Sequence, residues 1–275
     1  MTFGARLDAA LDARGSLCVG IDPHPSLLAD WGLSVDADGL ARFAATCVAA
    51  FGDLAAVVKP QSAFFELHGS SGIAVLEGTL ATLREAGAIA VLDAKRGDIG
   101  STVAAYAAAY LDPSSPLACD AITVNPYLGV GALDPVFELC ERHDAGAFVL
   151  ARTSNKEGAQ VQDARVADGR TVAQVIVDDV AARNAGAEPL GSLGVVVGAT
   201  VDPEDCSVGE LNGPVLAPGV GAQGGTAADV RRVFGASARA VLPSASREVL
   251  RHGPDIGALR DAVSRLVEDF AFLRG

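Results

Sequence analysis

Lysine is scarce in this chain. Lys59, Lys95 and Lys156 are its lysines, and arginine supplies the rest of the positive charge. Lys59 and Lys95 each stand near the end of an apolar run, Leu54-Ala-Ala-Val-Val58 in one case and Ala88-Ile-Ala-Val-Leu92 in the other. Lysine, unlike arginine, can give up a proton near neutral pH when its surroundings favour it. Lys95 lies between two acids in Asp93-Ala-Lys95-Arg-Gly-Asp98-Ile-Gly-Ser-Thr102 and is the candidate proton donor. Residues two apart on a strand share a face, so Asp93 and Lys95 are expected to project together, with Asp98 in the turn that follows. Asp22, in Gly20-Ile-Asp22-Pro-His-Pro25, closes another apolar run. Asp22, Lys59, Asp93 and Lys95 then form an array of opposite charges, each stabilising the ionised form of its neighbours. The competing reading is a salt-bridge network that only stiffens a rim.

A second constellation is the stretch Pro218-Gly-Val-Gly-Ala-Gln223-Gly-Gly225, followed by Ser244-Ala-Ser246-Arg247. Glycines let backbone N–H groups come close to an anion. Arg247 suits bidentate phosphate binding, and the Gln223 amide can donate as well. Thr153 and Ser154 are hydroxyls that either contact a polar ring or form a turn. His24, His68, His143 and His252 show no ligand spacing and read as structural or surface residues. No Cys/His cluster calls for a metal.

The elements that must position these groups follow from the apolar runs. Strands are predicted near Leu17–Asp22, Ala55–Lys59, Ala88–Asp93, Asp120–Val124, Ala147–Ala151, Leu193–Gly198, Val215–Ala217 and Ala240–Leu242. Helical periodicity lies between them, for example over Leu40–Phe51, Ile73–Ala86, Ser101–Leu111, Val172–Asn184, Asp229–Phe234 and Leu259–Phe272. Continuously apolar strands alternating with helices imply a parallel sheet covered on both faces. Such units at this length predict an α/β fold, a closed (β/α)8 TIM barrel, with a doubly wound open sheet as the alternative. No linker composition interrupts residues 1–275, so one domain is expected. The longest irregular stretch, Thr153–Arg170, falls on the active-site side of such a barrel, as a lid or as a tolerated insertion. On a barrel the first three strands bring Asp22, Lys59, Asp93 and Lys95 to one mouth, and the last two loops build the phosphate site.

With 275 residues, half of them hydrophobic, the chain can build a sizeable core. A net charge of −13 excludes a nucleic-acid surface and requires a local positive pocket for any anionic ligand. The five cysteines are widely spaced and read as buried thiols in a reducing compartment. The first residues show no basic region followed by an apolar core, and no run is apolar enough to span a bilayer. A cytoplasmic protein without membrane contact is expected.

The run Asp93–Thr102 closely resembles the signature of the orotidine 5′-phosphate decarboxylase family. Gly20-Ile-Asp22-Pro-His-Pro25 and Val57-Val-Lys59-Pro-Gln-Ser-Ala-Phe-Phe-Glu66 resemble its longer-chain bacterial subgroup (type 2), and Pro218–Gly225 resembles its phosphate loop. The resemblance implies decarboxylation of orotidine 5′-phosphate to uridine 5′-phosphate without metal or cofactor. It implies that Lys95 protonates C6 of the pyrimidine and that Asp93 lies beside the departing carboxylate. Asp98 and Thr102 would reach the site of a partner subunit in a homodimer. Asp22 and Lys59 would hold ribose hydroxyls and the charge network, Ser154 the pyrimidine, and Gln223 and Arg247 the phosphate. In one respect the chain departs from the pattern: many family members carry Gly-Arg-Ser where this one has Ser246-Arg247-Glu248. A 3-keto-gulonate phosphate decarboxylase, which forms an enediolate with Mg2+, shares the Asp-x-Lys-x-x-Asp core and is the rival reading. A non-catalytic nucleotide-phosphate binding barrel is the other.

Overall fold

The apolar strands are apolar throughout because alternate residues enter two different cores. The computed structural model describes residues 1–221 and 224–274, with no side-chain description for 236–238. Its strands are β1 (Cys18–Ile21), β2 (Val57–Pro60), β3 (Ile89–Arg96), β4 (Ala121–Val124), β5 (Gly146–Arg152), β6 (Leu193–Val197), β7 (Val215–Pro218) and β8 (Val241–Ala245). They are parallel and close in sequence order, β8 pairing back onto β1 through Cys18↔Ser244 and Val19↔Ala245. Cys18, Val57, Val91, Phe148, Leu216 and Leu242 fill the barrel interior. Their neighbours Val19, Val58, Leu92, Val149, Val215 and Val241 face outward into the layer beneath the helices. The barrel is therefore a packed core rather than a pore.

The helix Phe3–Arg14 closes the amino end. Its Phe3, Leu7 and Leu11 join the interior core, and Phe3 meets Phe148 edge-on at 6.3 Å. Gly146 lies under the Phe3 ring, where a Cβ would clash. The outer layer includes Ala37–Phe51, which buries Leu40, Phe43, Ala44, Cys47, Val48 and Phe51, the positions its periodicity predicts. The Asp36 side chain caps it by accepting from the Gly39 amide at 2.9 Å.

The fold adds helices the periodicity did not single out, and it departs from the expected alternation at one crossing. A helix over Asp134–Arg142 packs on β5, burying only Val136, Phe137 and Cys140. Between β6 and β7 no helix forms. Val201, Cys206, Val208 and Leu211 cover the barrel there from a loop. The five cysteines are free, and burial pushes the Cys18 thiol inside the barrel up to about 11. No helix among the described residues is long and apolar enough to cross a membrane.

Candidate active site

The carboxyl ends of β1, β2 and β3 converge on one carboxylate. Gly20 pairs with Lys59 in register, and an isolated bridge joins Gln61 to Asp93. Lys59 Nζ lies 3.0 Å from Asp93 Oδ2, and Lys95 Nζ lies 2.6 Å from Asp93 Oδ1. Gln61 Nε2 donates to Asp93 Oδ2 at 2.9 Å, and Thr123 Oγ1 donates to Asp93 Oδ1 at 2.9 Å. Each oxygen thus accepts two hydrogen bonds, and the carboxylate is saturated. Lys59 and Asp93 are buried, whereas the Lys95 side chain is about half exposed and faces the cavity.

Burial alone would raise the Asp93 pKa, but the ammonium groups of Lys59 and Lys95 outweigh it and hold the carboxyl well below its usual range. Burial would likewise lower Lys59. Asp93 and Asp22 outweigh that, and Lys59 is raised above the ordinary lysine value. Both groups are therefore ionised at neutral pH.

Asp93 and Lys95 do not meet through regular strand alternation. Leu92 pairs with Ile122 and Arg96 with Val124, so β3 spends four residues where β4 spends two. Lys95 lies in this bulge with φ +48°, a left-handed backbone that few non-glycine residues adopt. The irregular backbone turns the ammonium back onto Asp93. Beyond it Arg96 is anchored by Glu66 and by the ring of Tyr106, 5.6 Å away.

These groups line a cavity of about 460 Å3 that also takes in Ser154, Gly219, Ser246 and Arg247. Leu150, Val196 and Leu216, drawn from the barrel interior, give it an apolar wall. Asp22 is on the wall, and its Oδ1 is buried without a hydrogen-bond partner among the described residues, as is Ser246 Oγ. Arg247 is exposed along the cavity, and the neighbouring Glu248 pairs with Arg251. The Thr153 hydroxyl is engaged with Asn155 at 2.6 Å and with Gln162, whereas Ser154 is exposed at the cavity edge. Thr153–Arg170 is ordered into short turns at Lys156–Gly158 and Ala159–Gln162, tied back by the Arg152–Asp163 pair at 2.9 Å. In the glycine loop the amides of Gly221, Gly224 and Gly225 donate within the loop itself, so these glycines build a tight turn. Gln223 lies outside the described residues.

Asp98 and Thr102 do not line this cavity. The Asp98 carboxylate accepts from the adjacent Ile99 amide at 2.8 Å, and Thr102 is exposed on the helix Gly100–Leu111. Sequence reasoning missed Gln61 and Thr123, the two neutral donors to Asp93, and read His24 as a structural or surface residue. Its ring stands on the cavity wall, 4.2 Å from that of Phe64. A second cavity, of about 510 Å3, is lined by Thr2, Asp134, Glu138 and Arg183 and holds none of the predicted site residues.

A closed parallel barrel with ionised side chains gathered at the carboxyl ends of its strands belongs to the class of TIM-barrel enzymes. The chain belongs to the orotidine 5′-phosphate decarboxylase / HUMPS family, whose profile matches residues 15–262. It is 63% identical to the orotidine 5′-phosphate decarboxylase of Salinispora tropica, over 98% of this chain and 96% of that protein. It is 60% identical to that of Streptomyces coelicolor, over 96% and 95%. A solved Streptomyces avermitilis chain, proposed to be an orotidine 5′-phosphate decarboxylase, superposes with a TM-score of 0.97 at 59% identity, covering 99% of this chain and 96% of that one. Leishmania donovani OMP decarboxylase does so with a TM-score of 0.78 at 31% identity, covering 100% and 99%.

Proposed function

We propose that this protein is a carboxy-lyase that converts orotidine 5′-phosphate to uridine 5′-phosphate and CO2, the last step of UMP synthesis. The observation that carries the reading is Asp93 held between two ammonium groups at the mouth of the barrel, in a chain about 60% identical to named decarboxylases.

In this reaction the bond from C6 to the carboxylate breaks and its electron pair stays on C6, in the plane of the ring. No carbonyl is placed to delocalise that pair. A fixed ammonium aimed at C6 stabilises it without reorganising. Lys95 then transfers a proton to C6 and recovers one from solvent, which its half-exposed side chain can reach. Asp93 orients Lys95 and stands where the substrate carboxylate departs. Lys59 holds Asp93 ionised.

Asp22 Oδ1, buried and unpartnered among the described residues, suits a ribose hydroxyl that donates to it. Ser154 contacts the pyrimidine in preference to Thr153, whose hydroxyl is engaged within its own loop. Arg247, with Gln223, takes the phosphate, and its remote binding energy is used at the reacting centre. Asp98 and Thr102 complete the site of a second copy. Ile99, next to Asp98 in the chain, is an exposed apolar side chain suited to a homodimer contact. The enzyme works in the cytoplasm and needs no cofactor.

Ultraviolet absorbance of orotidine 5′-phosphate tests the reading, since losing the carboxylate changes the chromophore. Steady loss of substrate absorbance that survives EDTA is expected. An unchanged spectrum refutes the activity, and loss of turnover in EDTA favours the Mg2+-assisted enediolate chemistry instead.

A further inference from the structure

Thr123 belongs to the barrel interior by alternation, since Ile122 and Val124 on either side face the outer layer. An apolar side chain is the default there, and a hydroxyl with 1% exposure is costly unless its hydrogen bonds are made. Both are made, and both go to the charged centre. The Lys95 amide donates to Thr123 Oγ1 at 2.9 Å. The one hydrogen of the hydroxyl then goes to Asp93 Oδ1, also at 2.9 Å. The direction of donation is fixed: amide to hydroxyl, hydroxyl to carboxylate. The same Oδ1 receives the Lys95 ammonium at 2.6 Å.

Thr123 therefore grips Lys95 at its backbone and, through Asp93, at its side-chain tip. It does so inside the bulge, where Lys95 has φ +48°. An L-residue avoids that conformation unless its surroundings impose it. The flanking anchors, the Leu92–Ile122 pairing and the Asn125 amide on the Arg96 carbonyl at 2.7 Å, set the length of the bulge. They do not contact the Lys95 amide. We propose that Thr123 is a positioning residue for the decarboxylation: its hydroxyl, shared between the Lys95 amide and the Asp93 carboxylate, holds the Lys95 ammonium where it delivers its proton. The inference rests on the proposed reaction for its kinetic consequence, and on geometry alone for the placement of Lys95.

Thr123→Val and Thr123→Ser, assayed beside the wild type with orotidine 5′-phosphate, separate hydroxyl from packing. In Thr123→Val, kcat is expected to fall roughly 10- to 100-fold with KM changed by no more than about threefold, because a charged acceptor and a strained amide each lose their partner. Thr123→Ser is expected to restore kcat to within about threefold of wild type, since it keeps the hydroxyl. A valine variant with kcat within about twofold of wild type overturns the proposal, as does a serine variant that falls about tenfold or more. The serine variant still decides if the valine variant does not fold. A crystal structure of either variant gives a reading that needs no turnover. Thr123→Val is expected to lose the left-handed Lys95 backbone or its contact with Asp93. If both persist, the positioning role is overturned, and this arm decides even if the wild type leaves orotidine 5′-phosphate intact.

Discussion

Replacing Lys59 by methionine keeps the length of the side chain and removes its charge. Asp93 is then left with Lys95, Gln61 and Thr123, and loses the one ammonium that is buried with it. Breaking a buried pair by deleting one partner costs about 3–5 kcal/mol, because the remaining charge stays desolvated. Lys95 still compensates Asp93, so we expect the lower end, roughly 3 kcal/mol. For a chain of this size each kcal/mol moves Tm by roughly 2–4 °C, which gives a fall of roughly 6–12 °C near pH 7 at one fixed protein concentration.

The pH dependence carries the sharper test. Asp93 is depressed in the folded state, so its contribution is present above the unfolded carboxylate value of about 3.9 and is lost as pH falls below it. Lys59 is raised, so its own contribution is complete below the unfolded lysine value of about 10.4 and disappears only as pH rises beyond it. Between pH 7 and pH 3 the Lys59 term is therefore flat, and the change belongs to Asp93. In the variant burial of Asp93 is less well offset and its pKa rises, so it loses less stability on acidification than the wild type does. The Tm gap between the two proteins must narrow as the solution is taken toward pH 3. Thermal unfolding followed by circular dichroism measures it. A gap that is absent at pH 7, or constant down to pH 3, refutes the coupling of these two residues.

Three further substitutions probe the rest of the site. Lys95→Ala should abolish decarboxylation while leaving the far-ultraviolet circular dichroism unchanged, and substantial residual turnover would remove Lys95 as proton donor. Arg247→Ala should lower kcat/KM by about 2–5 kcal/mol of transition-state stabilisation, the range for truncating one side of a buried charge pair. Unchanged kcat/KM would refute its contact with phosphate. If Asp98 acts across the proposed homodimer, Lys95→Ala and Asp98→Asn, each inactive alone, should recover about a quarter of wild-type activity when mixed in equal amounts and allowed to exchange subunits, because half of the dimers are then mixed and each has one intact site. No recovery on exchange would place Asp98 in its own subunit's site or outside the reaction.

The barrel was legible because its strands are buried on both faces. Such strands announce themselves as short apolar runs whatever lies between them, and the runs ending at Asp22, Lys59 and Asp93 marked the mouth as well. The helix Asp134–Arg142 was harder to see, since three buried side chains among acids make a weak periodic signal. The crossing between β6 and β7 carries no helical period because no helix is there. Within the site, the bulge at Lys95 was invisible. The rule that residues two apart share a face assumes a regular strand, and Asp93 and Lys95 meet here through an irregular one. Gln61 and Thr123 reach Asp93 across 32 and 30 residues of sequence, so no local window connects them. A lone hydroxyl inside an apolar strand was the available sign at Thr123.

The saturation of Asp93 also bears on how the proposed reaction is driven. A bare carboxylate about 4 Å from the departing carboxylate of the substrate would repel it by about 4 kcal/mol at an effective dielectric constant near 20. Here that carboxylate carries two ammonium groups in direct contact, each with an attraction for the substrate carboxylate of comparable size at comparable distance. The repulsion felt by the bound substrate is therefore small, and the triad as a unit is cationic. When CO2 leaves, negative charge concentrates on C6, and the same cationic unit faces it more closely through Lys95. The interaction that grows along the reaction is attraction to the carbanion, and interactions of that kind raise the rate of the chemical step. For the proposed reaction, carbanion stabilisation by a preorganised ammonium then outweighs ground-state repulsion, and the role this proposal leaves to Asp93 is to hold that ammonium still.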